Sequence, residues 1–292
     1  MKIAVITDSG SGLEPKDIKN DNLFLIGMPF MIDGVEYFED VNITKKEFFE
    51  LIKNPDVSVS TSQPSLYTVK ELWDKVLEKY DAIIHIPLSS GLSASFIQAQ
   101  RLANEEYEGI VFVVDNNRVS VTERASVKDA LDMIEDGLEP KEIVEYLTKT
   151  KLDSSIYIMV DDLTLLKKGG RVTPKAQALA SVLHIKPVLQ IQGGKLDAYK
   201  KVISASVAKK VLLNAVKNDL EGRFKQYYEN GEMEIAIAHS DDPVQANALL
   251  NQVKIKFPNV NVRYVDYLSC LISCHTGPKA LGLGCYRVYK TK

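Results

Sequence analysis

Short apolar runs alternate with longer amphipathic segments from one end of the chain to the other. In the first half, the runs predict strands at residues 3–6, 23–32, 82–86 and 110–114. Helices between successive strands are typical of βαβ units, whose strands pair in parallel. The pattern therefore predicts an α/β protein whose N-terminal part is built on a mainly parallel sheet with flanking helices.

Local signals mark where several of these elements begin. Thr44 and Glu47 have capping-box spacing, in which each side chain bonds a backbone N–H of the first helical turn. Ser65 is placed to cap a helix over residues 66–80. Asp33-Gly34, between two apolar runs, predicts a tight β-hairpin turn.

The second half of the chain repeats the alternation after a boundary that we predict near residue 153. Domains 1–153 and 154–292 follow from that boundary. The C-terminal domain is predicted to have a mixed sheet with helices, because Gly193-Gly194 joins two strand-like runs as a hairpin. The other predicted elements are strands at 155–160, 187–192, 195–202, 233–238 and 261–264, with helices after Thr173, over 205–220 and after Asp242-Pro243.

Composition limits the class of protein. The formal net charge of −3 and the pI near 5.9 give no general attraction to nucleic acid, so we expect no nucleic-acid partner. The apolar run at the N-terminus is too short for a signal peptide, and no run reaches the roughly 18 apolar residues of a membrane span. Cys270, Cys274 and Cys285 lie close together without a Cys-x-x-Cys pair, which favours reduced thiols. We expect a cytoplasmic protein.

Three segments rich in hydroxyl groups suggest one polar site assembled from both ends of the chain. They are residues 58–65, residues 89–95 and a predicted loop at residues 273–278 that contains His275-Thr276-Gly277-Pro278. The first two flank the strand predicted at 82–86, so both belong near the carboxyl end of a parallel sheet, where ligands usually bind. Such a site suits an anion. Helix capping alone remains the alternative explanation for these serines and threonines.

Other chemistries have weaker support. No Gly-x-x-x-x-Gly-Lys-Ser/Thr sequence is present, and Pro15 replaces the third glycine of a dinucleotide fingerprint, so we expect no nucleotide cofactor. No acidic or histidine cluster has helical metal-ligand spacing, so we expect no metal. His85 and His184 lie in apolar runs that are typical of the core. Ser93 lies in a near match to a nucleophile elbow, and a hydrolase or acyltransferase that uses Ser93 with His275 remains open.

Arg171 ends the basic, glycine-containing turn Lys167-Lys168-Gly169-Gly170-Arg171. A guanidinium held in place can bind a carboxylate or a phosphate through two hydrogen bonds. Solvated charges beside an ordinary helix end are the alternative.

Taken in order, several motifs resemble those of the DegV family over nearly the whole chain. They are Thr7-Asp8-Ser9, the Val-Ser-Thr-Ser-Gln-Pro-Ser segment ending at Ser65, Leu88-Ser89-Ser90-Gly91-Leu92-Ser93, Leu166-Lys167-Lys168-Gly169-Gly170-Arg171, Ile185-Lys186-Pro187 and His275-Thr276-Gly277-Pro278. The resemblance implies two α/β domains with a tunnel between them that encloses a long-chain fatty acid, for example palmitate. It further implies a non-catalytic subunit that presents the acyl carboxylate to a separate ATP-binding fatty acid kinase subunit and carries the acyl phosphate onward.

Carried over by position, the resemblance implies that Thr61, Ser62 and Ser93 bind the carboxylate. It places Arg171, His275 and Thr276 at the head group or in contact with the kinase. The sequence departs from the family pattern in two places: Ala94-Ser95-Phe96 stands where Gly-Thr-Tyr is usual, and Asp115-Asn116 stands where Asp-Ser is usual.

Overall fold

The structure, a computed structural model, describes residues 1–181 and 185–291. In chain order the strands are β1 (Ile3–Asp8), β2 (Leu23–Ile26), β3 (Phe30–Ile32), β4 (Val35–Tyr37), β5 (Val59–Thr61), β6 (Ala82–Ile86), β7 (Val111–Val113), β8 (Ser154–Met159), β9 (Lys186–Ile191), β10 (Asp197–Val202), β11 (Met233–His239), β12 (Asn261–Tyr267) and β13 (Leu281–Arg287). The α-helices are α1 (Lys45–Ile52), α2 (Leu66–Leu77), α3 (Ser95–Glu106), α4 (Val121–Glu135), α5 (Pro140–Lys149), α6 (Thr164–Gly169), α7 (Pro174–Gln177), α8 (Ala205–Glu221), α9 (Lys225–Glu229), α10 (Pro243–Lys256) and α11 (Cys270–Thr276).

The N-terminal part is built on a parallel sheet with strand order β2-β1-β6-β7. One face packs on α2 and α3 through Trp73, Val76 and Leu102, and the other packs on α4 and α5 through residues such as Met133 and Leu147. Because both faces are covered, the strands are apolar on both sides, as parallel strands usually are. The predicted parallel sheet with flanking helices is confirmed.

The single strand predicted over residues 23–32 is wrong. Its first part is β2 of the parallel sheet, and its last part is β3 of a separate antiparallel sheet with order β4-β3-β5. The break has two causes: Pro29 has no N–H to donate to a sheet, and the N–H of Met28 donates instead to Ser9 Oγ at 3.1 Å. The predicted hairpin at Asp33-Gly34 is confirmed, with Phe30 opposite Tyr37.

The C-terminal part is built on a mixed sheet with order β10-β9-β8-β13-β11-β12. β13 is antiparallel to both of its neighbours, whereas β11 and β12 are parallel. One face buries a core against α8 and α10. The mixed sheet is confirmed, although the sequence pattern did not predict β13. The four parallel strands end at Val113 and the mixed sheet begins at Ser154; the domain boundary at residue 153 stays a prediction.

Capping signals located several helix ends well. The N–H of Thr44 donates to Glu47 Oε2 at 2.8 Å and the N–H of Glu47 to Thr44 Oγ1 at 3.3 Å, which confirms the capping box. Ser65 Oγ accepts from the N–H of Thr68 at 3.0 Å. The helix that Ser65 begins ends at Leu77, three residues before its predicted end.

The loop predicted around His275 is wrong, because residues Cys270–Thr276 form α11. Ser269 begins the helix by accepting from the N–H of Ile272 at 3.4 Å, and Gly277, at φ 69°, ends it. A left-handed residue after a helix is usually glycine. His275 therefore lies in a rigid last helical turn. Nowhere in residues 1–181 or 185–291 is a helix both long and apolar enough to span a bilayer.

Candidate functional site

A cavity lies between the mixed sheet and the ends of the N-terminal segments. Its walls are mostly aliphatic, including Leu92, Val119, Ile156, Ile158, Leu268 and Leu271. All six residues that the sequence placed at the site line it, namely Thr61, Ser62, Ser93, Arg171, His275 and Thr276. An apolar pocket with a few convergent polar groups is typical of a small-molecule site.

The two ends of the chain meet at one hydrogen bond. Thr61 Oγ1 lies 2.9 Å from His275 Nε2, across 214 positions of sequence. Thr61 is the last residue of β5, and His275 lies in the last turn of α11, which packs on the small antiparallel sheet. Both side chains are thus carried by regular secondary structure, which holds the pair in a fixed geometry.

His275 is a neutral imidazole in this environment. Burial, with a smaller contribution from the positive charge of Arg171, lowers the pKa of His275 to about 4. Its Nδ1 is buried and has no hydrogen-bond partner among the described residues. A Cβ at Gly169 would lie 2.2 Å from that Nδ1. Position 169 must therefore lack a side chain for the imidazole to occupy its place.

Arg171 is held by two backbone carbonyls. Its Nε donates to the carbonyl of Leu92 at 3.1 Å, and one Nη donates to the carbonyl of Gly169. These bonds join the turn after α6 to the turn before α3, so they also fix the guanidinium beside His275. The other Nη group makes no hydrogen bond within the described part of the chain and remains available to a ligand.

Ser93 and Ser62 lie at the outer part of the cavity. Ser93 Oγ is 2.8 Å from Ser95 Oγ and accepts from the N–H of Ser95 at 3.2 Å. Ala94, which departs from the family pattern, is exposed and begins α3 without a side-chain cap. Ser62 is exposed, and its N–H donates to the carbonyl of Pro29 at 3.2 Å. Both serine hydroxyls have acceptor or donor capacity left.

Thr276 lines the cavity, but its hydroxyl belongs to a buried network. It lies 3.3 Å from Ser240 Oγ and 3.4 Å from the carbonyl of Ile272, to which it donates. Ser240 Oγ is in turn 3.3 Å from Ser273 Oγ. These contacts stabilise the end of α11, which carries His275. Its suggested contact with the head group or the kinase stays a prediction.

Two acidic residues that the sequence did not mark as functional hold the turn from Leu88 to Ser93. Asp8 accepts from the N–H of Leu88 at 2.9 Å and of Gly10 at 2.8 Å. Burial raises the pKa of Asp8 to about 6, although those two N–H groups oppose the shift. Asp115 accepts from the N–H and the hydroxyl of Ser90 at 3.1 and 2.5 Å. Both residues belong to segments compared with the DegV pattern, Thr7-Asp8-Ser9 and Asp115-Asn116, but neither segment indicated a role for its carboxylate.

Neither Ser93 nor Cys274 has the surroundings of an activated nucleophile in the described part of the chain. A serine hydrolase needs a hydrogen bond from the serine to its base, but Nε2 of His275 is paired with Thr61 and Ser93 is paired with Ser95. Burial raises the pKa of the neighbouring Cys274 thiol, which keeps it protonated and unreactive. Ser93 and His275 are therefore not hydrogen-bonded to each other as a nucleophile and its base.

A cluster of three carboxylates and the imidazole of His85 lie outside the lining of the cavity. Glu14, Glu39 and Asp40 place carboxylate oxygens within 4.8 Å of one another, but the ammonium of Lys45 already forms ion pairs with Glu14 and Glu39. His85 is fully buried, and burial lowers its pKa to about 3, as suits a core residue. The similar prediction for His184 lies outside the described residues.

A family model described as "Uncharacterised protein, DegV family" matches residues 2–288. The chain belongs to the DegV family. A DegV domain-containing protein of Streptococcus pyogenes serotype M3 is 31% identical over 287 residues, covering 97% of this chain and 98% of the relative. The family resemblance drawn from the ordered motifs is confirmed.

Solved structures of DegV proteins share the fold. A fatty-acid-binding DegV family protein from Thermus thermophilus matches with a TM-score of 0.86 at 27% identity, covering 99% of this chain and 100% of that chain. DegV from Bacillus subtilis, a fatty acid binding protein, matches with a TM-score of 0.83 at 26% identity, covering 98% and 99%. The expected two-domain α/β fold of the DegV family is confirmed.

Proposed function

We propose that this protein binds a long-chain fatty acid, such as palmitate, in the cavity between the mixed sheet and the N-terminal segments. One observation carries the proposal: a single cavity has aliphatic walls inside and a group of hydroxyl, imidazole and guanidinium side chains at one part of its lining. A fatty acid has the same division between a long apolar tail and one anionic head. The DegV proteins of similar fold that bind fatty acids support the assignment.

The tail supplies most of the affinity. A sixteen-carbon chain buries about fifteen methylene or methyl groups at roughly 0.8 kcal/mol each, a gross gain near 12 kcal/mol. The loss of freedom on binding offsets a large part of that gain. An uncharged molecule with the same tail gains the same burial energy, so the tail does not distinguish a carboxylic acid. Selectivity for a carboxylic acid therefore has to come from the polar part of the cavity.

The polar residues orient the head group. A buried carboxylate costs several kcal/mol unless hydrogen bonds or opposite charges compensate it. In our proposal Thr61, Ser62 and Ser93 donate to the carboxylate, and Arg171 supplies the positive charge. The single N–H of the neutral His275 imidazole, placed on Nε2, donates to Thr61 Oγ1 and leaves the hydroxyl hydrogen of Thr61 free for the carboxylate. Because Thr61 and His275 are already hydrogen-bonded to each other, the site is organised before the ligand arrives.

We further propose that the protein is a cytoplasmic, non-catalytic subunit. It would present the carboxylate to a separate ATP-binding fatty acid kinase subunit and carry the acyl phosphate onward. The absence of a phosphate-binding loop from the sequence favours a partner that brings the ATP. The exposure of Ser62 and Ala94 beside the cavity leaves the head-group end accessible to that partner.

Lipid extraction tests the binding proposal directly. We expect mass spectrometry of organic extracts from the purified protein to find a long-chain fatty acid at about one per chain. We also expect the delipidated protein to take up palmitate. The double variant Thr61→Ala, Ser93→Ala should bind palmitate more weakly. A protein that carries no lipid and refuses added palmitate would contradict the proposal.

The partner role needs a separate assay. With a fatty acid kinase subunit and ATP, Arg171→Ala and His275→Ala should lose more acyl phosphate formation than palmitate affinity. Equal losses in phosphorylation and binding would restrict both residues to ligand binding. Formation of product by this chain alone from acyl-ester or acyl-phosphate substrates would instead indicate an enzyme.

A further inference from the structure

The floor of the cavity includes two positions of β13 that carry no side chain. Gly282 and Gly284 both line the cavity, and alternate residues of a strand face the same side of the sheet. Leu281, Leu283 and Cys285 face the other side, where they are buried in the core under α8 and α10. On its cavity side, this strand therefore presents bare backbone.

The protein itself does not need glycine at either position. Neither residue is among the glycines with positive φ. A Cβ at 282 would lie 3.6 Å from the carbonyl oxygen of Ala238, and a Cβ at 284 would lie 3.4 Å from Thr122 Cγ2. These are ordinary van der Waals distances, so alanine fits at both positions. Glycine inside a strand lowers stability relative to alanine, which leaves these two glycines without a structural benefit.

The neighbouring strands give the bare surface the shape of a channel. On one side, Ile158 of β8 lies opposite Gly282, and Ile156 lies opposite Gly284. On the other side, Ala238 of β11 also pairs with Gly282. The two glycines are roughly 6.8 Å apart along the strand. The missing side chains therefore create an extended space bordered by apolar groups.

The two glycines lie at different depths. Ala238, the partner of Gly282, is two residues from Ser240, and Ser240 Oγ lies 3.3 Å from the hydroxyl of Thr276 near the polar residues. Gly284 instead approaches Thr122 in the first turn of α4. Gly282 is thus nearer to the polar part of the cavity, and Gly284 is farther along it.

We propose that Gly282 and Gly284 determine which acyl chains this protein accepts, because the ligand's alkyl chain lies against the bare backbone of β13 at these two positions. The inference rests on the proposed function that the ligand is a fatty acid. The two positions carry no side chain so that the alkyl chain of the ligand can fill the space beside them. A methyl group at either position would occupy that space.

Alanine substitution separates a ligand role from a structural one. Gly282→Ala and Gly284→Ala should each raise the melting temperature of the delipidated protein, because alanine restricts the unfolded chain. Each should also weaken palmitate binding roughly tenfold, since an added methyl group overfills a packed site. Gly194→Ala is the matched control. Position 194 has open space around it and does not line the cavity, so this variant should bind palmitate like the wild type.

Chain length tests the order of the two positions. Gly284→Val should weaken palmitate binding more than decanoate binding, because only the longer chain reaches the deeper position. Gly282→Val should weaken both. If the wild-type protein binds palmitate and both alanine variants bind it with unchanged affinity, this inference alone is overturned. A loss of both melting temperature and palmitate affinity in those variants would also overturn it, because it would indicate a structural role for the glycines. Failure of the wild-type protein to bind any fatty acid would overturn the proposed function and this inference with it.

Discussion

Replacing Thr61 with valine isolates the contribution of one hydroxyl group to recognition of the head group. Valine keeps the branched shape of threonine and removes only Oγ1, which lies 2.9 Å from His275 Nε2. A hydrogen bond to a charged group contributes about 1.5–3 kcal/mol. We therefore expect Thr61→Val to weaken palmitate binding roughly tenfold to a hundredfold.

A neutral ligand provides the internal control. Hexadecanol has the same tail as palmitate but no charge, so Thr61→Val should change its affinity by at most a fewfold. Displacement of a fluorescent fatty acid from delipidated protein measures both ligands in one assay. Thr61→Ser keeps the hydroxyl and should retain most of the palmitate affinity. Thr148→Val, on the exposed surface of α5, is the matched control and should bind both ligands normally.

The result that would refute this reasoning is an equal effect on the two ligands. If Thr61→Val weakened palmitate and hexadecanol alike, the hydroxyl would act through the shape of the cavity. If it weakened neither, the carboxylate would bind elsewhere. Both outcomes would remove Thr61 from the head-group site.

Three further predictions concern groups around the site. Gly169→Ala should displace the His275 imidazole, since a Cβ there would lie 2.2 Å from Nδ1, and should reduce palmitate affinity in the displacement assay; unchanged affinity would contradict a positioning role. Asp115→Ala should free the N–H and hydroxyl of Ser90 and increase hydrogen exchange in the turn before α3, whereas unchanged protection would show that other contacts hold the turn. Burial raises the pKa of Glu123 well above 4.5, so the folded state retains a proton that the unfolded state releases, and stability falls as pH rises above about 4.5. Glu123→Gln should therefore raise the free energy of unfolding at neutral pH, with little effect in acid; denaturant titrations that show no pH-dependent difference would contradict this.

The sequence predicted those parts of the fold that depend on local chemistry. Capping residues such as Thr44 and Ser65 act within one helical turn, so their helices were located well. β13 was missed because the Leu-Gly alternation in Leu281–Arg287 lacks the β-branched residues that mark strands. α11 was predicted as a loop, although Ser269 and Gly277 are ordinary signals for a helix start and end.

The sequence predicted which residues form the site but not the hydrogen bonds that join and support them. Three polar segments indicated one site, and the structure brings Thr61 and His275 into contact and places Ser93 on the same cavity. The supporting bonds of Asp8 and Asp115 could not be predicted, because each depends on a partner supplied by another strand end. The neutral state of His275 likewise depends on burial and on Arg171, which only the folded chain defines.

A crystal structure of the protein loaded with palmitate tests the central claim most directly. The account predicts one extended ligand in the cavity, with its carboxylate within hydrogen-bond distance of Thr61 Oγ1 beside the His275 imidazole and its alkyl chain against Gly282 and Gly284. A cavity that stays empty under saturating palmitate would contradict the account. So would a ligand whose carboxylate lies away from Thr61 and His275.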